Sequence, residues 1–138
     1  MKAEIYTYDT GSDGYDVRPG ELFQVMEKDG SGNTLRRTRF EYDSDYRRTK
    51  RLSRQIPGVG EFHQTLNHDY LGRVTETAYP GSRRLAYRYM RNGNLMQVCD
   101  GSCTSGEVYY SIDPASSFDV FGNLQRESFG NGVVGEYN

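Results

Sequence analysis

The sequence predicts an all-β protein built from antiparallel hairpins, and three observations support that prediction. Strand-like runs alternate with turn pairs such as Pro80-Gly81 and Asn92-Gly93, which are typical of hairpins because glycine readily adopts the positive φ of tight turns. The chain has 12 Tyr and 6 Phe but a hydrophobic fraction of only 35%, so tyrosine must supply much of the buried surface. No helix-period apolar stripe of useful length occurs. We therefore expect about ten short strands, joined mostly as hairpins.

The first half of the chain contains five predicted strands. Apolar and polar residues alternate within them, so that Phe40 and Tyr42 share one face while Arg39 and Glu41 take the other. The predicted strands cover residues 3–9, 21–28, 34–43, 51–56 and 61–69, and the predicted loops and turns cover 10–20, 29–33, 44–50 and 57–60.

The second half is organised around one complete unit, residues 67–93. It contains a turn at 69–73, a strand, a reversal at 80–82 and a second strand at 85–89. The remaining predicted strands cover 94–99, 107–112, 118–129 and 133–138, separated by turns or loops at 100–106, 113–117 and 130–132.

Charge and length exclude several classes of function. The 138 residues suit one domain, and 17 basic with 19 acidic side chains give a net charge of −2. This balance favours neither a specific nucleic acid partner nor an anionic membrane surface. No apolar run approaches the roughly 20 residues that span a bilayer. The N-terminus also lacks the apolar core of a signal peptide, so export would need another route or sequence outside these residues.

One short pattern recurs four times along the chain. It consists of an aromatic residue or His, then Asp, two residues, Gly, Asn or Arg, and an aliphatic residue. The copies are Phe40-Glu41-Tyr42-Asp43 with Arg48 and Leu52, residues 67–74, residues 87–95 and residues 118–124. The Asp slots fall at positions 43, 69, 90 and 119. Repeats at intervals of about 20 to 50 residues imply a stacked architecture.

These segments resemble the tyrosine-aspartate (YD) repeats of the Rhs family, which also occur in the C components of bacterial Tc toxins and in teneurins. Residues 118–134 are similar to the family form YDxxGNL…PNGxxxxYxYD, while Tyr8-Asp9, Tyr42-Asp43 and residues 20–22 are weaker copies. The chain departs from the pattern where Met90 holds an Asp slot and where Asp45-Tyr46 replaces the glycine turn. Residues 10–20 and 100–106 are interpreted as insertions.

The resemblance implies a curved, single-layer β-sheet that forms a section of a hollow shell around a toxic C-terminal polypeptide. The chain would be one module, 1–138, with repeat units of roughly 3–43, 44–69, 70–90, 91–119 and 120–138. It would be secreted or lie on the bacterial cell surface, with the rest of the shell and the enclosed polypeptide as partners. We expect no enzymatic activity and no cofactor. Exposed sheet edges predict self-association.

The repeat residues have predicted structural roles at the turns. Asp accepts hydrogen bonds from turn N–H groups, glycine supplies positive φ, and the following Val74, Leu95 or Leu124 points inward. The predicted turn residues are Tyr8, Asp9, Tyr42, Asp43, Asp69, Gly72, Arg73, Gly93, Asn94, Asp119, Gly122 and Asn123.

A run of basic residues provides the alternative functional hypothesis, a surface that binds a carbohydrate or another protein. The candidate polyanion or glycan contacts are Arg36, Arg37, Arg39, Arg47, Arg48, Lys50 and Arg51, with Arg54 nearby. The purely structural interpretation is a solvated face whose arginine stems cover apolar surface.

The two cysteines and two histidines offer little chemistry. Cys99 and Cys103 could form a local disulfide, although two unpaired thiols in a hairpin loop are the preferred interpretation. His63 and His68 fall on opposite faces of a regular strand, and no second ligand pair lies at structural-zinc spacing, so no metal is expected. A Cys-His protease would need an orienting carboxylate that nothing here indicates.

Overall fold

The computed structural model describes residues 2–8 and 18–137. These residues form eleven β-strands and no helix, which confirms the predicted all-β class with antiparallel hairpins. The strands are β1 (Ala3–Tyr8), β2 (Leu22–Lys28), β3 (Thr34–Tyr42), β4 (Thr49–Ile56), β5 (Gly60–His68), β6 (Val74–Ala78), β7 (Arg84–Tyr89), β8 (Leu95–Asp100), β9 (Val108–Ser111), β10 (Arg126–Phe129) and β11 (Val134–Glu136). No helix long and apolar enough to cross a membrane is found in this described part of the chain.

The chain divides into two compact units, Met1–Asn67 and His68–Asn138. In the first unit, β1 to β5 pair in chain order as an antiparallel meander, with Phe40 of β3 opposite Leu52 of β4. In the second, β6 to β11 do the same, with Tyr87 of β7 opposite Val98 of β8. Each unit is thus a ribbon of consecutive hairpins. That the whole chain acts as a single module stays a prediction.

Five of the described strands carry a β-bulge at the same place. The extra residue at each shift of the pairing register is the second residue of its strand, namely Phe23, Leu35, Lys50, Met96 and Tyr109. A bulge increases the local twist and redirects the side chains beyond it. The turn and the bulge therefore form one repeated device that sets the direction of the returning strand.

Burial is shallow in both units. Among the described residues, the buried hydrophobic side chains are Phe23, Cys99 and Ile112, which are 3%, 0% and 7% exposed. Val74, Leu95 and Leu124, which were predicted to point inward, are only half-buried. A single layer of sheet has no second layer to pack against, so its side chains must cover one another.

Arginine side chains supply part of that cover by lying over aromatic rings. The guanidinium carbon of Arg73 lies 4.6 Å from the centre of the Tyr89 ring, and that of Arg83 lies 5.5 Å from the Tyr109 ring. A cation above a ring is attracted to its electron-rich face, and the arginine stem shields apolar surface. This arrangement explains how a chain with so little aliphatic content forms ordered sheets.

Candidate functional site

The recurring Asp turn is best defined at residues 119–123. The backbone closes on itself, because Asp119 N donates to Asn123 O at 3.0 Å and Gly122 N donates to Asp119 O at 3.1 Å. The Asp119 carboxylate accepts from Phe121 N, Asn123 N and Asn123 Nδ2, each at 2.8 Å. Gly122 has a φ of 86°, which a side chain would disfavour. Both carboxylate oxygens are therefore committed to holding the turn closed.

The turn at 69–73 repeats this arrangement with arginine in the last position. Asp69 N donates to Arg73 O at 3.0 Å, while Asp69 Oδ1 accepts from Leu71 N at 2.9 Å and from Arg73 N at 3.0 Å. Arg73 Nε donates to the second oxygen, Asp69 Oδ2, at 2.7 Å. The Arg73 guanidinium thus takes the place that the Asn123 side-chain amide has in the turn at 119–123, and it makes the hydrogen bond to the carboxylate a charged one.

A third copy lies at residues 29–33, where the sequence pattern predicts only an ordinary turn. Asp29 Oδ1 accepts from Ser31 N at 2.8 Å and from Asn33 N at 2.9 Å, and Asp29 Oδ2 accepts from Asn33 Nδ2 at 3.0 Å. Gly32 has a φ of 87°. The signal was present as Asp, two residues, Gly and Asn, but Lys28 replaces the aromatic residue on which the copies were aligned.

The turn at 90–94 keeps the backbone closure without the aspartate. Met90 N donates to Asn94 O at 2.8 Å, and Gly93 N donates to Met90 O at 3.0 Å. Here Asn92 Oδ1 accepts from Asn94 N at 3.1 Å, so a tip residue performs part of the missing carboxylate's role. The closed backbone is therefore the constant feature, and the aspartate reinforces it.

The turn at 43–48 is one residue longer than the others. Asp43 N donates to Arg48 O at 2.9 Å, and Asp43 Oδ1 accepts from Tyr46 N at 2.6 Å and from Arg47 N at 3.0 Å. Arg47 has a φ of 56°, so it adopts the positive φ that glycine supplies elsewhere. The departure noted at Asp45-Tyr46 is thus an insertion that moves the left-handed residue to Arg47.

Electrostatics in the turns favour ionised carboxylates. Hydrogen bonds from the side chain and backbone of Asn123 hold the pKa of Asp119 below its usual range, and Asn33 does the same for Asp29. A carboxylate that is ionised and fully engaged is a poor proton donor. The same hydrogen bonds that lower these pKa values hold the turns closed.

The tyrosine before a turn ties that turn to the strand before it. Tyr89 OH donates to Val74 O at the start of β6 at 2.8 Å, and Tyr42 OH donates to Leu22 O at the start of β2 at 2.9 Å. Burial raises the pKa of both phenols. In these two copies, the tyrosine therefore provides a specific long-range hydrogen bond as well as buried area. Tyr8 belongs to β1, and its predicted partner Asp9 lies outside the described residues.

The basic run divides between the two faces of the sheet. Successive residues of β3 point to opposite faces, so the Arg36 side chain lies on one face and those of Arg37 and Arg39 lie on the other. Arg51 of β4 pairs with Glu41 of β3, so it shares the face of Arg37 and Arg39. Arg36 forms an ion pair with Glu27, and Arg47 forms one with Glu21. Arg51 Nη1 lies 3.5 Å from Glu41 Oε2. The guanidinium carbon of Arg48 lies 4.3 Å from the centre of the Tyr46 ring, and Lys50 is exposed. Most of these side chains have partners within the sheet. A polyanion or glycan contact stays a prediction.

Cys99 and Cys103 are joined in a disulfide, so the preferred interpretation of two unpaired thiols was wrong. Their Cα atoms lie 5.1 Å apart, within the usual range for a bridge. The turn after Asp100 folds back tightly enough to bring Cys103 beside the end of β8, which spacing alone did not reveal.

The histidines lie on β5 without a shared ligand. His63 Nδ1 forms a hydrogen bond with Ser53 Oγ at 2.8 Å, and His68 is five residues further along the same strand. Across residues 2–8 and 18–137, no group of three or more His, Cys, Asp or Glu side chains is placed to hold a metal ion.

Sequence comparison adds one relative. No protein-family model matches the chain. Over 85 residues, 61% of the chain, it is 39% identical to the "Double-stranded DNA deaminase toxin A" of Burkholderia cenocepacia (strain H111). The chain is related in sequence to a bacterial toxin. The matched segment covers only 5% of that toxin's length, so the similarity concerns a small part of it.

Proposed function

We propose that this chain is a structural, non-enzymatic YD-repeat segment in the wall of a β-shell that encloses the toxic polypeptide of a secreted bacterial Rhs- or Tc-type toxin. The observation that carries the proposal is the recurrence of one closed turn, at 29–33, 69–73 and 119–123, with the same carboxylate contacts. Two of these three turns lie in segments that carry the resemblance. Such a device builds a ribbon that can be extended by adding hairpins.

The toxin similarity supports the same role. A segment matching about one twentieth of a toxin's length is what one short portion of a long repetitive wall would produce. The turn carboxylates are occupied by backbone N–H groups, and this agrees with a wall rather than a catalytic surface. The enclosed polypeptide would be supplied by another part of the complete protein.

The ends of the ribbon supply the contacts with neighbouring wall. Among the described strands, β1 pairs only with β2 and β11 pairs only with β10, which leaves one edge of each available for further pairing. Ile5, Tyr6 and Tyr8 on β1 are exposed. An isolated chain should therefore self-associate, and light scattering at tens of micromolar should give a mass above that of one chain. A single-chain mass would contradict edge pairing.

The proposed role is tested in the complete polypeptide that contains these residues. Electron microscopy should show a hollow β-shell, and limited proteolysis should leave the enclosed polypeptide intact. Replacing Asp119 and Gly122 by Ala and Val should expose that polypeptide to protease. Val120→Ser is the matched control, because its side chain is 94% exposed at the tip of the same turn. A polypeptide cut equally fast in both variants and the wild type, or the absence of a shell, would refute the role.

A further inference from the structure

A disulfide lies at the end of the β8–β9 hairpin, and the proposed wall function does not use it. Cys99, in β8, is completely buried, whereas Cys103 is half-buried in the connection that follows. The bridge closes a ring from Cys99 to Cys103, with a sequence separation of 4. The buried half of the bridge is thus part of the small core of its unit, and the other half lies nearer to solvent.

The ring attaches the connection to the adjacent strand β7. Ala86 of β7 is the cross-strand partner of Cys99, and Cys103 Sγ lies 3.7 Å from Ala86 O. Gly101 N donates to Arg84 O, also in β7, at 2.8 Å. The connection therefore folds back over β7 instead of extending into solvent.

The same connection determines where β9 begins. Asp100 N donates to Glu107 O at 2.8 Å, and Gly106 N donates to Ser102 O at 2.7 Å. Immediately beyond, the β8–β9 register shifts between Val98 and Cys99. Strand β9 then pairs with β10, so the position of the connection affects the pairing of the strands that follow.

We propose that the Cys99–Cys103 disulfide is a redox-sensitive latch. Oxidised, it holds residues 100–107 against β7, and reduced, it releases them and loosens the β8–β9 pairing. The proposed reductant is a dithiol. One of its thiolates attacks Cys103 Sγ, the sulfur–sulfur bond breaks, and Cys99 departs as a thiolate that takes up a proton. The second thiol of the reductant then displaces Cys103 from the mixed disulfide. Two electrons pass from the dithiol, which leaves as a disulfide, and both cysteines become thiols.

The reductant attacks Cys103 rather than Cys99 because Cys99 is buried. A thiolate needs access to the sulfur it attacks, and the Cys99 sulfur is enclosed by the sheet. The bridge limits the conformations that the connection can adopt once it opens. Applied to this opened state, the chain-entropy treatment predicts that reducing so small a ring favours opening by roughly thirtyfold. Disulfides persist in oxidising surroundings and are rare in a thiol-rich cytosol. The latch would therefore keep this part of the unit ordered outside a cell and loosen it in a reducing interior.

Amide hydrogen exchange on the 138-residue chain, with and without dithiothreitol, tests the latch. Thiol titration should show two new thiols after reduction. Exchange at Gly101, Gly106 and Asp100 should then accelerate by roughly thirtyfold. The amides of Arg73 and Asn123, in closed turns of the same unit, should change by less than about twofold; they are the internal controls.

Three results would overturn the proposal. They are a bond that dithiothreitol does not reduce in the folded chain, unchanged exchange at Gly101 and Gly106 after reduction, and equal acceleration at the control amides. The last result would identify a global constraint rather than a latch. The double variant Cys99→Ala with Cys103→Ala should exchange like the reduced protein and should not respond to dithiothreitol. If that variant does not fold, the reduced wild type still decides the question.

Discussion

Replacing Gly93 by alanine tests the requirement for a left-handed residue in the turns. Gly93 has a φ of 95°, and a Cβ atom built there would meet no atom within 4 Å. The cost of alanine is therefore conformational rather than steric. A left-handed backbone costs a residue with a side chain about 1–2 kcal/mol. Alanine also has less conformational freedom than glycine in the unfolded chain, which stabilises the folded state by about 0.4–1 kcal/mol. We expect a net destabilisation of about 1 kcal/mol.

Thermal unfolding followed by circular dichroism measures this effect. For a unit of this size, 1 kcal/mol corresponds to a fall of about 4–8 °C in the unfolding midpoint. Gly93→Asn is the matched control, since asparagine tolerates the left-handed region and should cost much less. Equal midpoints for the alanine variant and the wild type would refute the reasoning. Equal losses for alanine and asparagine would also refute it, because they would indicate a steric rather than a conformational cost.

Two further predictions concern side chains at the turns. Tyr89→Phe removes the hydrogen bond to Val74 O and should lower the free energy of unfolding, measured in urea, by about 1 kcal/mol. The control Tyr46→Phe, at an exposed ring, should leave that free energy almost unchanged. Equal losses in the two variants would contradict the assigned role of the Tyr89 hydroxyl. Because folding lowers the pKa of Asp119, the ionised carboxylate stabilises the fold. This contribution is complete above the ordinary aspartate pKa of about 3.9, and it is lost as the pH falls through the lower pKa of the folded state. Acid unfolding of Asp119→Asn should consequently depend less on pH below about 4 than that of the wild type, and identical profiles would argue against this assignment.

The fold was predictable because its determinants are local. Alternation along a strand, as at Phe40 and Tyr42, and glycine at a reversal, as at Gly93, are both visible within a few residues. The turns at Asp69 and Asp119 were predictable for the same reason. Asp29 is absent from the predicted copies because they share an aromatic residue or His before the Asp, whereas the folded turn at 29–33 is held by Asp29, Gly32 and Asn33 and needs no aromatic residue.

Features that depend on spatial placement were not predictable. The positive φ of Arg47 arises because an inserted residue shifts the turn, and no glycine marks the position. The partner of Tyr89 OH is a carbonyl on the neighbouring strand, which only the register identifies. The disulfide depends on how the chain folds back after Asp100. The division of the basic run between two faces follows from strand alternation, which directs neighbouring arginines such as Arg36 and Arg37 to opposite faces.

Nuclear magnetic resonance of the chain tests the central claim most directly, because nuclear Overhauser contacts report strand pairing residue by residue. An antiparallel ribbon with closed turns predicts cross-strand contacts in the registers Phe40–Leu52 and Tyr87–Val98, together with slowed exchange of the Arg73 and Asn123 amides. Contacts between residues three apart along 84–100, as in a helix, or unprotected amides at both turns would contradict it.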